Sequence, residues 1–315
     1  MARYLGRRLL VAIPTLLALS FLIFALVSSA PGDPAEELAR RRTQDPSPEE
    51  IRDAQRELHL DRPFLVQYGL WLKGVATGDL GPSFAKKRPV IDEIRDRFGA
   101  TVELAFASVL LVLVMALPFG ILAAMFHHHW VDQGLRVWAL VAASVPGFFL
   151  AYLLIIELAT NLKLLPVAGR QGVSSLIMPA IVVAVTPAAV ISRLLRASLL
   201  EVFSDDYVRT ARSKGLSSMQ IVLRHGLRNA SIPVVTYLGT VFGALLEGVV
   251  ITELVFAWPG IGRLTVEAIS QRDYPMIQAV VLMAGAGYLL INLVVDLLYG
   301  VLDPRIRVEA GVEHV

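Results

Sequence analysis

Few residues of this chain are placed to do covalent chemistry. It contains no cysteine, so thiol nucleophiles and disulfides are excluded. No HExxH or GxGD run occurs, and no GxxxxGK[ST] loop that would cradle a nucleotide phosphate. His127, His128 and His129 offer three imidazoles. Consecutive residues diverge in direction and do not converge on one ion, so a polar patch beside the membrane is the simpler reading. The other candidates are acids and amides inside apolar runs: Glu157, Glu247, Glu253, Asn292 and Asp296. Charges within a bilayer are costly and usually face a bundle interior or a water path. Asn292 and Asp296 are four apart and share one helix face. Glu247 has no obvious second catalytic partner. Two readings stay open: a polar path with Glu247, Glu253, Asn292 and Asp296 as candidates, or helix–helix hydrogen bonding and span-end solvation, above all for Glu157 and Glu253. The chain is expected to hold no metal and no cofactor of its own.

The elements that must position these groups are membrane helices. Of 315 residues, 55% are hydrophobic and 18% charged, and the mean hydropathy is +0.62. Soluble proteins carry about 25% charged residues. The net charge of +2 is too small to argue for nucleic acid. About 20 apolar residues cross a hydrocarbon core, and six windows qualify: Leu9 to Ala30, Ala100 to Phe126, Gly134 to Thr160, Ser174 to Leu195, Ala230 to Val255, and Met276 to Leu302. All lack alternation and are too long for barrel strands, which leaves α-helices. The expected fold is therefore an all-α polytopic membrane protein with six transmembrane helices. Pro118, Pro146, Pro179, Pro187 and Pro233 permit kinks. A competing reading of the N-terminus is a cleavable signal peptide ending near Ala30.

Lys and Arg near the span ends set the orientation. Arg3, Arg7 and Arg8 precede the first span. Arg193, Arg196, Arg209, Arg212, Lys214, Arg224 and Arg228 surround the segment between the fourth and fifth, and Arg305 and Arg307 follow the last. With six spans these fall on one side, which is cytoplasmic. The expected order is a cytoplasmic N-terminus (1–8), a first transmembrane helix (9–30) and an extracytoplasmic segment (31–99). A five-helix core (100–302) and a cytoplasmic tail (303–315) follow. No internal repeat is evident. In the external segment Ser47, Pro48 and Glu50 mark a capped helix start. The aromatic stretch from His59 to Gly81 is either an interfacial helix or part of a small external hairpin.

Between the fourth and fifth spans a charged cassette, 201–228, interrupts the apolar pattern. Ser204 and Asp205 are N-cap candidates, Asp206 adds negative charge at the same helix end, and Gly215 is a natural residue just past the C-cap. Ser217 to Gln220 reads as a capping box for a second short helix. Isolated helices this short are marginal and need a partner surface. Tyr207, Thr210, Ala211 and Lys214 share one face, and small Ala211 and Gly215 would let another backbone approach.

Here the sequence resembles a known family. Arg209-Thr210-Ala211, three residues and Gly215 stand where ABC importer permeases carry an E-A-A, three residues, Gly motif in their coupling helix. Arg209 replaces the acidic residue and Thr210 the first alanine, and His225-Gly226-Leu227-Arg228 stands where many members have I-x-L-P. DYVRTARSKGL (Asp206 to Leu216) followed by HGLRNASIPV (His225 to Val234) is similar to the dipeptide/oligopeptide/nickel subclass. So are PGDP (Pro31 to Pro34), LDRPFLVQY (Leu60 to Tyr68), GDLG (Gly78 to Gly81), TELVFAWPGIGRL (Thr252 to Leu264), RDYP (Arg272 to Pro275) and NLVVDLLYGVLDPRIR (Asn292 to Arg307). The resemblance implies a non-catalytic permease subunit in the bacterial inner membrane. It would pair with a second, homologous permease, two ATPase subunits that bind ATP and Mg, and an extracytoplasmic substrate-binding protein. It implies ATPase coupling by Asp206, Tyr207, Arg209, Thr210, Ala211, Lys214, Gly215 and Leu216. Short peptides are the expected cargo, with nickel chelates, glutathione or glycans as alternatives. An intramembrane enzyme would need a catalytic pair that is not evident. A stand-alone secondary carrier would leave the cassette without a role.

Overall fold

The computed structural model describes the backbone of residues 2–302. It describes the side chains of residues 10–223, 226, 227, 230, 233–235, 237–239, 241 and 249–294. The chain runs through α1 (Ala2–Ser28), α2 (Pro34–Arg42), α3 (Pro48–Glu57), α4 (Phe64–Thr77), α5 (Val90–Met125), α6 (Trp130–Ser144) and α7 (Gly147–Leu154). A π-helical turn (Ile155–Asn161) follows, then α8 (Val173–Ser204), α9 (Asp206–Ser213) and α10 (Ser218–Ile221). A second π-helical turn (Val222–Gly226) leads into α11 (Leu227–Val255), α12 (Ile261–Ser270) and α13 (Tyr274–Leu302). Among the described residues no strand forms beyond one isolated bridge between Pro82 and Pro89.

Among the described residues four helices are long and apolar enough to cross a membrane: Leu10–Ser28 within α1, α5, α8, and Tyr274–Val294 within α13. The single span expected over Gly134 to Thr160 is instead two helices, Trp130–Ser144 and Gly147–Asn161, meeting at 102°. The break falls at Pro146. Proline has no N–H to donate, and it drives the residue before it out of the helical region. Val145 accordingly sits at φ −81, ψ 121. Pro118, Pro179 and Pro187, by contrast, lie inside continuous helices. The described residues thus give four spans, or five with the bent pair. The expected fifth window is spanned by the continuous helix α11, where the side chains of 242–248 lie outside the described residues. The expected tail, 303–315, lies outside them too.

The helices group into two compact units. One contains residues 2–101 and 259–289. Its α2 and α3 are capped by local chemistry: Asp33 accepts from the Ala35 N–H, and Ser47 and Glu50 form a reciprocal capping box. The pair is closed by two hydrogen bonds of 2.7 Å from the Arg42 guanidinium to Glu57. Arg42 holds the Glu57 carboxyl below its usual range, and hydrogen bonds from the Ser47 backbone and Thr43 do the same for Glu50. Buried Asp273 ties a loop to the start of α13, accepting from Ser83 Oγ at 2.5 Å and the Phe84 N–H at 3.1 Å. Val90, Ile94, Leu264, Met276 and Val280 form an apolar core beside it. Helix α4 lies along α1 through Phe21, Phe24, Phe64, Tyr68 and Trp71.

The other unit contains 102–258 and 290–302. It is organised on α8, whose Ile191, Leu195 and Leu199 are fully buried against Val112 and Ala116 of α5 and Ala230 and Val234 of α11. Gly120 permits this approach: a Cβ there would stand 2.9 Å from both Leu195 Cβ and Ser192 O. Buried Asp132, in the first turn of α6, takes two hydrogen bonds of 2.7 Å from Arg196 of α8.

Candidate functional site

The cassette folds as a helix, a left-handed corner and a second helix start. α8 ends at Ser204, and the chain turns at Asp205 (φ −68, ψ 146) into the eight-residue α9. Asp205 stands at the N-cap position but makes no side-chain cap bond, and Ser204 Oγ donates back to Glu201 O at 2.6 Å. The expected side-chain cap is therefore absent. The C-terminal end matches expectation. Gly215 adopts φ +82, the Leu216 N–H reaches Ala211 O at 3.2 Å, and the Gly215 N–H reaches Arg212 O at 3.0 Å. These two bonds form a Schellman motif, whose left-handed residue favours glycine. No heavy atom lies within 4 Å of a Cβ built at Gly215, so conformation and not crowding selects it.

The second helix begins as expected. Ser217 Oγ accepts from the Gln220 N–H, and the Gln220 side chain accepts from the Ser217 N–H. It is not short, however. After α10 the backbone passes through the π-helical turn Val222–Gly226 directly into α11. No proline interrupts it before Pro233, and Gly226 lets this turn pass α8, where a Cβ would stand 3.1 Å from Leu199 Cδ2. The corner is thus joined end to end with two long helices.

The apolar side of α9 is its anchor. Val208 is fully buried and Ala211 is 8% exposed, packed with Val202, Ile221, Phe203 and Leu216. Ala211, expected on the docking face, points inward instead. At three-residue spacing from Val208 it completes the stripe that holds the corner. Leu216 is half-buried in the same cluster. The outward side carries Asp206, Tyr207, Arg209, Thr210, Lys214 and Gly215, all exposed. Arg209 stands 3.6 Å from Asp206 in a solvent-screened pair, and the Arg212 guanidinium lies 6.0 Å from the centroid of the Phe203 ring. This is a polar, hydrogen-bonding ridge on a rigid base. It carries no nucleophile–base pair.

Of the four candidates for a polar path, only Glu253 and Asn292 have side chains among the described residues. Glu253 is fully buried in a segment with Thr252, Phe256 and Trp258, all nearly inaccessible, so it faces no open channel here. Asn292 is half-buried in α13. The side chains of Glu247 and Asp296 lie outside the described residues, as do those of Arg224, His225 and Arg228. Glu157 is exposed and accepts from Asn161 Nδ2 at 3.2 Å, consistent with span-end solvation. The histidine run splits: His127 Nδ1 is 3.0 Å from an Arg196 nitrogen and 3.4 Å from Asp132, while His128 turns through φ +66. Among the described residues no three His, Cys, Asp or Glu side chains cluster as a metal site would require. Sequence reasoning missed the Asp132–Arg196 clamp. An arginine in a span was read only as an orientation signal, although an aspartate in the first turn of a neighbouring helix was available to it.

Long apolar helices of this kind, with an exposed polar corner set between two of them, define a multi-pass membrane protein. Comparison with known sequences gives the family. Residues 116–308 match the profile described as "Binding-protein-dependent transport system inner membrane component", and residues 1–105 match its N-terminal counterpart. The chain belongs to this family of ABC importer permeases, multi-pass proteins of the inner membrane. It is 42% identical over 307 residues to the glutathione transport system permease protein GsiC of Escherichia coli (strain K12), covering 98% of this chain and 99% of that one. It is 41% identical over the same length to GsiC of Shigella flexneri serotype 5b, with the same coverage. The fold is similar to a chain of the MetNI methionine ABC transporter in an inward-facing conformation. The TM-score is 0.57 at 19% identity, over 67% of this chain and 96% of that one.

Proposed function

We propose that this chain forms half of the translocation pathway of an importer for short peptides, driven by ATP through alternating access. It would stand beside a second, homologous permease, above two ATPase subunits and below a substrate-binding protein. In this reading the exposed side of α9 and the Gly215 corner face the cytoplasm and seat in an ATPase subunit. Closure of the ATP-bound ATPase pair pushes the corner, α8 and α11 transmit the push as rigid levers, and the bundle opens outward. Hydrolysis resets it. The chain itself makes and breaks no covalent bond. Both termini are cytoplasmic.

The carrying observation is the construction of the corner. A Schellman turn and a capping box lock its shape, Val208 and Ala211 anchor it, and it continues without a hinge into α11. The glutathione permeases it resembles at 41–42% identity favour glutathione, itself a tripeptide, as the first cargo to test. The test is ATP hydrolysis by the full assembly in proteoliposomes, with its binding protein loaded in turn with glutathione, a dipeptide, a nickel chelate or an oligosaccharide. Stimulation by glutathione or a dipeptide is expected. Stimulation by the chelate or oligosaccharide alone would move the cargo assignment. Uptake by this chain without any ATPase would overturn the reading.

A further inference from the structure

A cavity of about 620 Å³ lies in the unit built from 2–101 and 259–289. Its walls are the C-terminal end of α1 with Phe24 and Val27, the end of α3 with Glu57 and, just past it, His59, the inner stripe of α4, the loop 79–84 and the first turns of α13. This volume is within the range of about 300–1,000 Å³ typical of small-molecule sites. Phe24, Phe64 and Trp71 make one side apolar. No Lys or Arg lines it, whereas Glu57 and Asp79 do, so the site does not favour a free anion. Gln278 lines it as well, is 9% exposed, and has no side-chain hydrogen-bond partner among the described residues.

The position of the cavity along the membrane helices selects its occupant. α4 has no buried residue, and its outward side shows Leu65, 70% exposed, with Val66. Its Tyr68 hydroxyl meets Ser20 Oγ at 2.8 Å. Ser20 is eight residues from the end of the span Leu10–Ser28, about 12 Å along a helix. α4 therefore runs beside the spanning part of α1 with a leucine and valine surface outward. α13 packs antiparallel on α1: a Cβ at Gly285 would overlap Leu19 Cδ2, deep in both spans. The cavity thus sits at the end of an α1–α13 pair, at the depth where hydrocarbon gives way to headgroups.

We propose that this cavity holds a membrane phospholipid, with one acyl chain against Phe24, Phe64 and Trp71 and the Gln278 amide donating to an ester carbonyl. Recognition is of chain and ester and is independent of the headgroup, because neither Lys nor Arg lines the site. The bound lipid fills the space beside the direct α1–α4 contact, toward the first turns of α13, and holds α4 in place. This inference does not depend on the cargo or on which side is cytoplasmic.

The test uses the full chain in phosphatidylcholine vesicles doped with a phosphatidylcholine bearing a diazirine in its acyl tail, with adducts mapped by mass spectrometry after irradiation. Adducts on Phe24, Phe64 and Trp71 are expected, at about equal yield with a diazirine phosphatidylglycerol. Leu70→Trp, at a half-exposed lining position, should lower them several-fold while leaving adducts at Leu65 unchanged. Adducts confined to Leu65 and other outward residues, or insensitivity to Leu70→Trp, would overturn the proposal. The cysteine-free chain allows a second arm. Val27→Cys, at the cavity lining, should resist a membrane-impermeant maleimide presented to both faces of the membrane; rapid labelling would overturn the proposal, and its block by glutathione or a dipeptide would show an aqueous vestibule for cargo instead.

Discussion

Gly215 and Asp132 do opposite jobs by opposite physics. Gly215 is exposed and crowded by nothing, and its contribution is a backbone angle. Placing an L-residue there costs about 1–2 kcal/mol of local strain, most for a β-branched one. Gly215→Val should therefore leave the bundle folded but abolish cargo-stimulated ATP hydrolysis, while Gly215→Asn, which tolerates the left-handed region, should retain most of it. ATPase assays with thermal unfolding on the same samples separate the two effects. Asp132 is buried with a bidentate arginine, and removing it strands a charge. Asp132→Ala should destabilise by about 3–5 kcal/mol. Glu103→Ala, which breaks the part-exposed pair with Arg170, should cost no more than about 1 kcal/mol. Unfolding of both variants in one detergent checks the contrast. Gly215 was legible in the sequence because a glycine after a basic helix end has one common structural use. The Asp132–Arg196 clamp was not, because 64 residues separate its partners and nothing local marks the pairing.

At the scale of elements, the helix starts and stops that rest on neighbouring residues were readable. The Ser47 and Ser217 capping boxes both form as read. What depended on packing was not readable. Proline at five span positions looked alike in the sequence, yet only Pro146 among those described breaks a helix outright. Ala211 looked suited to a partner, and the fold used it as an anchor. Pro146→Ala should restore the missing donor and let α6 and α7 straighten, lengthening the distance between spin labels at Trp138→Cys and Leu153→Cys. An unchanged distance would mean that packing on α8, and not the proline, sets the bend. The α2–α3 pair should be acid-sensitive. The Glu57 and Glu50 carboxyls are held below their ordinary values, so their stabilisation is present above the unfolded carboxylate range and is lost as pH falls through it into the folded values. Protection of α2 in hydrogen exchange should drop in acid, and Glu57→Gln should lower it at neutral pH.

At the scale of the whole molecule, composition alone announced a helical membrane protein, and motifs spread over nearly the whole length pointed to the permease family to which it belongs. Of the expected polar path, Glu253 is buried while the side chains of Glu247 and Asp296 lie outside the described residues, and a path between two subunits would be built from surfaces that one chain does not complete. The central claim is that the α9–Gly215 corner receives force from an ATPase. Its most direct test exploits the absence of native cysteine. Thr210→Cys, exposed on α9, should crosslink through a short bifunctional thiol reagent to an ATPase subunit of the assembled importer. It should resist an impermeant maleimide added outside intact cells, and the crosslink should stop cargo-stimulated hydrolysis. Labelling of Thr210→Cys from outside, or a corner that forms no crosslink in an importer that still transports, would contradict the account.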